Sequence, residues 1–134
     1  VPNYWLLKTE PSTYGFSDLA RAGRASWDGV ANPVALKHLR AMAVGDRCFI
    51  YHTGDEKRIV GLATVTKAAY PDPKLGDPKM VVVDLEAGDS LRRPVTLAEV
   101  KADPRFGDWE LVRQSRLSVM PVSPQRWKAI LDWK

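Results

Sequence analysis

Between Arg47 and Tyr70 the chain reads RCFIYHT, then GDEK, then RIVGLATVTKAAY. Two runs rich in β-branched and aromatic residues, split by four residues of turn chemistry, specify an antiparallel hairpin of Arg47 to Thr53 against Arg58 to Tyr70. A lone hairpin is marginal in water, so what flanks it has to cover it. Upstream, Tyr4 to Lys8 is an apolar strand stopped by Glu10-Pro11. Ser17 caps a short helix, SDLARA, that Gly23 ends, and Asn32-Pro33 starts a second one with Asn as N-cap and Pro at the first helical position. Ala35, Leu39 and Met42 fall at i, i+4, i+7 on one face of that helix, while Lys37 and Arg40 lie elsewhere, so one side packs on a core.

Downstream, Tyr70 to Pro78 (YPDPKLGDP) reads as a surface loop, not a domain boundary. Met80 to Glu86 is a third strand-like run, and Thr96 followed by Glu99 is a capping box for a helical segment from Leu97 to Lys101. Leu117 to Val122 is a last strand. Ser123-Pro124 opens a terminal helix carrying Trp127, Ile130 and Leu131. Short strands in the middle, with short helices between and at the ends, predict a single α+β domain over residues 1–134 whose sheet curls into a small barrel.

At 134 residues the chain buries enough surface to fold without a metal or disulfide. One cysteine, Cys48, and two histidines leave no zinc-type ligand set. Cys48 and His52 stand four residues apart on one strand, ~13 Å at ~3.3 Å per residue, too far to act as a nucleophile pair. No glycine-rich phosphate loop, nucleophile elbow or H-E-x-x-H motif is present, and the expectation is a chain without catalytic residues or cofactor. The lone cysteine, with no basic-then-apolar start, points to a cytoplasmic setting, and no apolar run is long enough to span a bilayer. Twenty Lys plus Arg against sixteen Asp plus Glu give a net charge of +4, which permits nucleic-acid binding without demanding it.

The distinctive supply is flat rings, five Trp and four Tyr. Trp5 in a strand and Trp127 on the terminal helix have apolar neighbours at packing spacing and read as core. Trp27 is flanked by Ser26, Asp28 and Gly29, in what reads as a polar turn before the Asn32 helix start. Two readings are open from these residues: a ring packed inward, or a wall of a cavity that holds a flat heterocycle by stacking and edge hydrogen bonds.

Six blocks in order, YWLLKTEPSTY, WDGVANPVALKHLRAM, GDRCFIYHTG, IVGLATV, AYPDP and SRLSVMPV, resemble the EVE domain over nearly the whole chain, from Tyr4 to about Ile130. The resemblance implies a PUA-like fold, a small curved β-barrel with flanking short helices, related to the YTH domain that reads N6-methyladenine. It also implies a non-enzymatic module that recognises a modified base in nucleic acid, DNA ahead of RNA. Carried over by position, Trp27 matches an aromatic wall of the family's pocket and Asn32 the polar residue at the following helix start. Tyr51, His52 and Thr53 fall at the pocket edge. Lys8, Glu10, Pro11 and Ser12 of KTEPS, and Arg116 with Ser118 of RLS, line or brace it.

The chain departs from the family at two places. Ala31 stands where arginine is common, removing a candidate phosphate or base contact, and Met80 stands where tryptophan is common, leaving a thioether as the second wall. Strict alternation puts His52 on one face of its strand and Tyr51 with Thr53 on the other, so either the histidine or the pair faces the pocket unless a bulge intervenes. The alternatives are a general DNA- or RNA-binding module that uses its basic surface without selecting a modified base, and a binder or hydrolase of a nucleotide-like small molecule.

Overall fold

The computed structural model describes residues 2–134. Six strands form one mixed sheet: β1 (Tyr4–Thr9), β2 (Arg24–Trp27), β3 (Arg47–His52), β4 (Arg58–Pro71), β5 (Val81–Thr96) and β6 (Val119–Val122). Their spatial order is β2-β5-β4-β3-β1-β6, antiparallel throughout except for the parallel β1–β3 pair. The hairpin expected from GDEK is β3 with β4.

The ladders leave β2 and β6 as two edges, so the sheet is open and not the closed barrel that strand number suggested. It is nonetheless strongly curled. Thr9 at the end of β1 and Ala25 to Trp27 of β2 stand four places apart in the order and yet line one cavity. The curl arises in β4 and β5, whose register shifts between Ile59 and Gly61, Gly61 and Ala63, Val65 and Lys67, and Lys67 and Tyr70. Each such irregularity bends a strand and adds twist.

Five helices dress this sheet: α1 (Phe16–Ala22), α2 (Pro33–Ala41), α3 (Leu97–Ala102), α4 (Glu110–Arg113) and α5 (Pro124–Leu131). The central strands β1 and β3 are buried on both faces, which requires cover on both sides. Ala35 and Leu39 of α2 and Met42 at its C-cap are buried as the periodicity demands, and His38 of that helix meets Trp5 at 5.9 Å between ring centroids. On the other face α5 inserts Trp127 between Tyr4 (4.5 Å) and Phe49 (4.0 Å), both stacked, with the Arg47 guanidinium 5.7 Å from the indole. Trp5 donates its indole N–H to the buried Asp46 carboxylate at 2.9 Å. Asp46 also accepts the N–H groups of Asn3 and Ala43, so its charge is buried with its lone pairs served.

The helix starts follow local chemistry at three places. Asn32 Oδ1 accepts from the N–H of Val34 and Ala35, Ser123 Oγ accepts from Arg126, and Thr96 exchanges hydrogen bonds with Glu99 in a full capping box. At α1 the sequence expectation needs correction. The N-cap is Gly15, not Ser17: the Gly15 N–H donates to Asp18 Oδ2 at 2.7 Å and the Phe16 N–H to His52 Nε2 at 3.0 Å. Two partners, one of them distant in sequence, thus satisfy donors at this helix start, and Ser17 lies inside the helix.

Candidate nucleic-acid interface

Trp27 does not sit in a turn. It is the last residue of β2, an edge strand whose partners run from Arg24 opposite Glu86 to Trp27 opposite Val83. The bond from the Ala87 N–H to the Gly23 carbonyl fixes which peptide groups face the sheet. By the alternation of an antiparallel ladder, Ala25 and Trp27 turn their backbone groups to β5, and Ser26 turns its N–H and C=O outward. An edge that would otherwise invite strand pairing is kept here at four residues.

Beside that edge lies a cavity of about 420 Å³ lined by Thr9, Thr13, Tyr14, Ala25, Ser26, Trp27, Asp28 and Lys74. Trp27 is only 6% exposed, so its ring is at once core and cavity wall. Tyr14 meets it edge-on, with centroids 6.3 Å apart and planes at 81°. Burial, then the charges of Asp18 and Asp28, raise the Tyr14 pKa, so the phenol remains a neutral donor. Lys74 Nζ reaches Asp28 Oδ2 at 3.4 Å, an ion pair between half-exposed or more exposed side chains that holds the rim weakly. Behind the strand, Asp84 accepts from both Ser26 Oγ and the Tyr70 hydroxyl, and these three side chains brace β2 against β4 and β5.

Of the residues singled out from sequence, Trp27 lines this cavity, and the others fall into separate groups. Asn32 and Arg116 line a second depression, of about 300 Å³, with Val34, Arg113, Gln114, Ser115 and Leu117. Lys8 extends its ammonium to the Ser115 carbonyl (3.0 Å) over the Tyr51 ring (5.6 Å), and burial lowers its pKa. Tyr51 is buried, with its phenol pushed up to about 12 by desolvation. The Lys8 N–H donates to the Ser118 carbonyl, which continues the β1–β6 pairing.

Ser12 Oγ and Thr53 Oγ1 both approach the Glu10 carboxylate, at 3.0 and 3.4 Å. The register shift between Ile50 and Tyr51 leaves its extra residue, Val60, in β4, while β3 stays in unbroken register with β1, so the alternation of His52 against Tyr51 and Thr53 stands. His52 has both ring nitrogens engaged: Nε2 accepts from Phe16, which makes Nδ1 the protonated atom, and Nδ1 donates to Glu56 Oε1 at 3.0 Å. Met80 is half-buried and its carbonyl accepts from the Asp72 N–H; it stands three residues before Val83, the partner of Trp27. Pro11 packs in the loop that carries Thr13 and Tyr14 toward the cavity.

The lining residues that the sequence reading did not name as site residues are Thr9, Thr13, Tyr14, Ala25, Ser26, Asp28 and Lys74. Three of them lie inside the KTEPSTY block, whose Lys8 and Ser12 were named instead. Lys74 comes from the loop after β4 and had no local signal.

Burial pushes the Cys48 thiol pKa far up, which keeps it inert. Among the described residues no group of three His, Cys, Asp or Glu side chains is placed to hold a metal ion, and no helix is long and apolar enough to cross a membrane.

Thymocyte nuclear protein 1 of Mus musculus is 32% identical over 166 aligned positions, which cover 98% of this chain and 74% of that protein. Rpa0253 of Rhodopseudomonas palustris, solved by NMR, superposes with a TM-score of 0.91 at 45% identity, covering 96% of this chain and 90% of that one. Human THYN1 protein, crystallised in complex with 5-methylcytosine-containing DNA, superposes with a TM-score of 0.87 at 29% identity, covering 96% of each chain. The model of the EVE domain matches residues 3–133. With the open curled sheet, the edge-strand cavity and this match along almost its full length, the chain belongs to the EVE domain family.

Proposed function

We propose that this chain is a non-enzymatic module that binds DNA and takes a modified base, a 5-methylcytosine-like pyrimidine, into the cavity beside β2. The observation that carries the reading is the cavity's make-up: a Trp27 wall, an edge-on Tyr14, and hydrogen-bonding groups of both kinds in about 420 Å³. That volume falls in the ~300–1,000 Å³ range of pockets for small flat ligands. Asp28 can accept from the exocyclic amine of a cytosine, and the outward Ser26 peptide offers a donor and an acceptor to a base edge. The complex of human THYN1 with 5-methylcytosine-containing DNA supports the choice of ligand.

Magnitudes set what the module can achieve. Stacking on an aromatic contributes ~1–3 kcal/mol per base, while extruding a base from duplex costs a few kcal/mol. These terms nearly cancel, so net affinity has to come from contacts to the backbone. A buried methyl adds about 0.8 kcal/mol, and up to ~1–3 kcal/mol in a well-shaped pocket, for ~10- to 200-fold discrimination at most.

The test is titration of matched duplexes carrying cytosine or 5-methylcytosine against wild type and Trp27→Ala. The expected result is tighter binding of the methylated duplex and loss of that preference in the variant. Equal binding of both duplexes, together with an indifferent Trp27→Ala protein that remains folded, would sink the reading in favour of general DNA binding through the basic surface.

A further inference from the structure

The second depression has a composition unlike the first. No carboxylate lines it, whereas Arg113, Arg116, Gln114 and the Asn32 amide do. Asn32 Oδ1 is engaged by the N–H groups of Val34 and Ala35, so the free end of that amide is its NH₂ donor. Arg113 donates Nε to the Gly107 carbonyl at 3.0 Å, which fixes the guanidinium plane and leaves its other N–H groups uncommitted. Asp108, the acidic residue that feels the Arg113 charge, is already held by Arg126. Arg116 forms no hydrogen bond or ion pair with any described residue. The α2 N-terminal N–H groups are taken by Asn32, so the positive character comes from the arginines.

Two links join this depression to the Trp27 cavity. Leu7 pairs with Val119 and the Lys8 N–H bonds the Ser118 carbonyl, and one residue beyond that bond on the two segments stand Thr9, a cavity residue, and Leu117, a residue of the depression. The short segment from Asp28 to Asn32 runs from one rim to the other. Lys8 further pins the arginine loop through the Ser115 carbonyl. A planar, permanently charged donor pair without an acidic partner, beside a cavity for a flat heterocycle, matches a phosphodiester in geometry and in charge.

We propose that the Arg113–Arg116 depression is a phosphodiester seat, holding the strand backbone next to the base in the Trp27 cavity, with exposed Val34 against the adjoining sugar. The assignment rests on the base-binding reading for its register, but the phosphate contact itself does not depend on which base is preferred. Such a contact positions the strand and carries no sequence information.

The experiment is the salt dependence of binding to the cytosine and 5-methylcytosine duplexes for wild type, Arg116→Gln, Arg116→Lys and Lys37→Gln. The last is a control for loss of an exposed charge on α2. Each phosphate contact contributes ~0.9 to the slope of log K against log salt on duplex DNA. Arg116→Gln should lower the slope by about that amount, weaken both duplexes equally and leave their affinity ratio and the melting temperature unchanged. Arg116→Lys should restore most of the slope.

An unchanged slope in Arg116→Gln, or the same decrease in Lys37→Gln, would overturn the seat. A lost affinity ratio with an intact slope would also overturn it, since the arginine would then be reading the base. Arg116-dependent binding of a polyglutamate peptide, undisturbed by DNA, would assign the depression to a protein partner instead. Should wild type fail to prefer 5-methylcytosine, the base reading falls, and the slope on the unmodified duplex still decides the seat.

Discussion

Trp127 and Trp27 are equally hidden, 5% and 6% exposed, and they have opposite surroundings. Trp127 is sandwiched, with Tyr4 at 4.5 Å and Phe49 at 4.0 Å in stacked geometry and the Arg47 guanidinium close by. Trp27 has one edge-on aromatic neighbour, Tyr14, and then the cavity. Burial alone therefore does not separate a structural indole from a binding one. What separates them is what lies beside the ring: stacked aromatics at Trp127, and at Trp27 an edge-on tyrosine and a margin that lines the cavity.

The sharpest way to break this comparison is to truncate both. Trp127→Ala removes a ring packed on both faces and should destabilise by ~3–5 kcal/mol, seen as a large drop in denaturant midpoint. The stacked pair Tyr4 and Phe49 would face a hole that small residues cannot fill. Any DNA binding that survives should keep its preference for the modified base. Trp27→Ala should instead lose ~1–3 kcal/mol of binding to methylated DNA. Its stability loss should be smaller than that of Trp127→Ala, because part of the ring already borders empty space. Trp27→Phe keeps a wall and should recover much of the binding. If the two alanine variants lose stability equally and neither changes base preference, the distinction between them is void.

How far the distinction was visible in the sequence follows from which signals are local. Asn32-Pro33, Thr96 with Glu99, and Ser123-Pro124 name their helices because a cap acts within three residues of itself. The GDEK hairpin is legible for the same reason. Strand β2 was not, since Arg24 to Trp27 is short and polar and becomes a strand only by pairing with Val83 to Glu86. Strand β5 was expected to stop at Glu86 but continues to Thr96 through Gly88, Asp89 and Pro94, residues that oppose strand formation where no partner is present. There β4 supplies the partner and register shifts absorb the misfits.

The cavity suffered most from this. Trp27 was legible as an odd aromatic among polar neighbours, but Thr9, Tyr14 and Lys74 come from three other segments that only the curl of the sheet assembles. Closure of the barrel failed as an inference because strand count does not fix the edges: β2 and β6 do not pair.

The phenols offer a second comparison by titration. Tyr51, in the interior, has its pKa pushed up to about 12 by burial, and Tyr14, at the cavity, is raised by burial and by Asp18 and Asp28. Both folded values lie above the unfolded value of ~10, so the stability they contribute is fully present below that pH. It is lost as pH rises through the folded values, for Tyr51 through about 12. Spectrophotometric titration should show both ionising later than a free tyrosine. A bound base that dries the cavity should shift Tyr14 further and leave Tyr51 unmoved; a shift at Tyr51 alone would place the ligand elsewhere.

The smallest expected effect lies at the rim. Lys74 and Asp28 are 77% and 50% exposed and 3.4 Å apart, so breaking the pair with Lys74→Gln should change stability by no more than ~0–1 kcal/mol, less at high salt. In binding the two partners should diverge. Lys74→Gln removes a cation from the cavity rim and should weaken modified and unmodified duplexes alike. Asp28→Asn adds a donor where a cytosine amine needs an acceptor, so it should reduce affinity for cytosine-type bases in particular. Melting curves at two salt concentrations, alongside titration of both duplexes, read all of this. A uniform loss in Asp28→Asn would remove its carboxylate from base recognition and leave the Ser26 peptide as the polar reader beside Trp27.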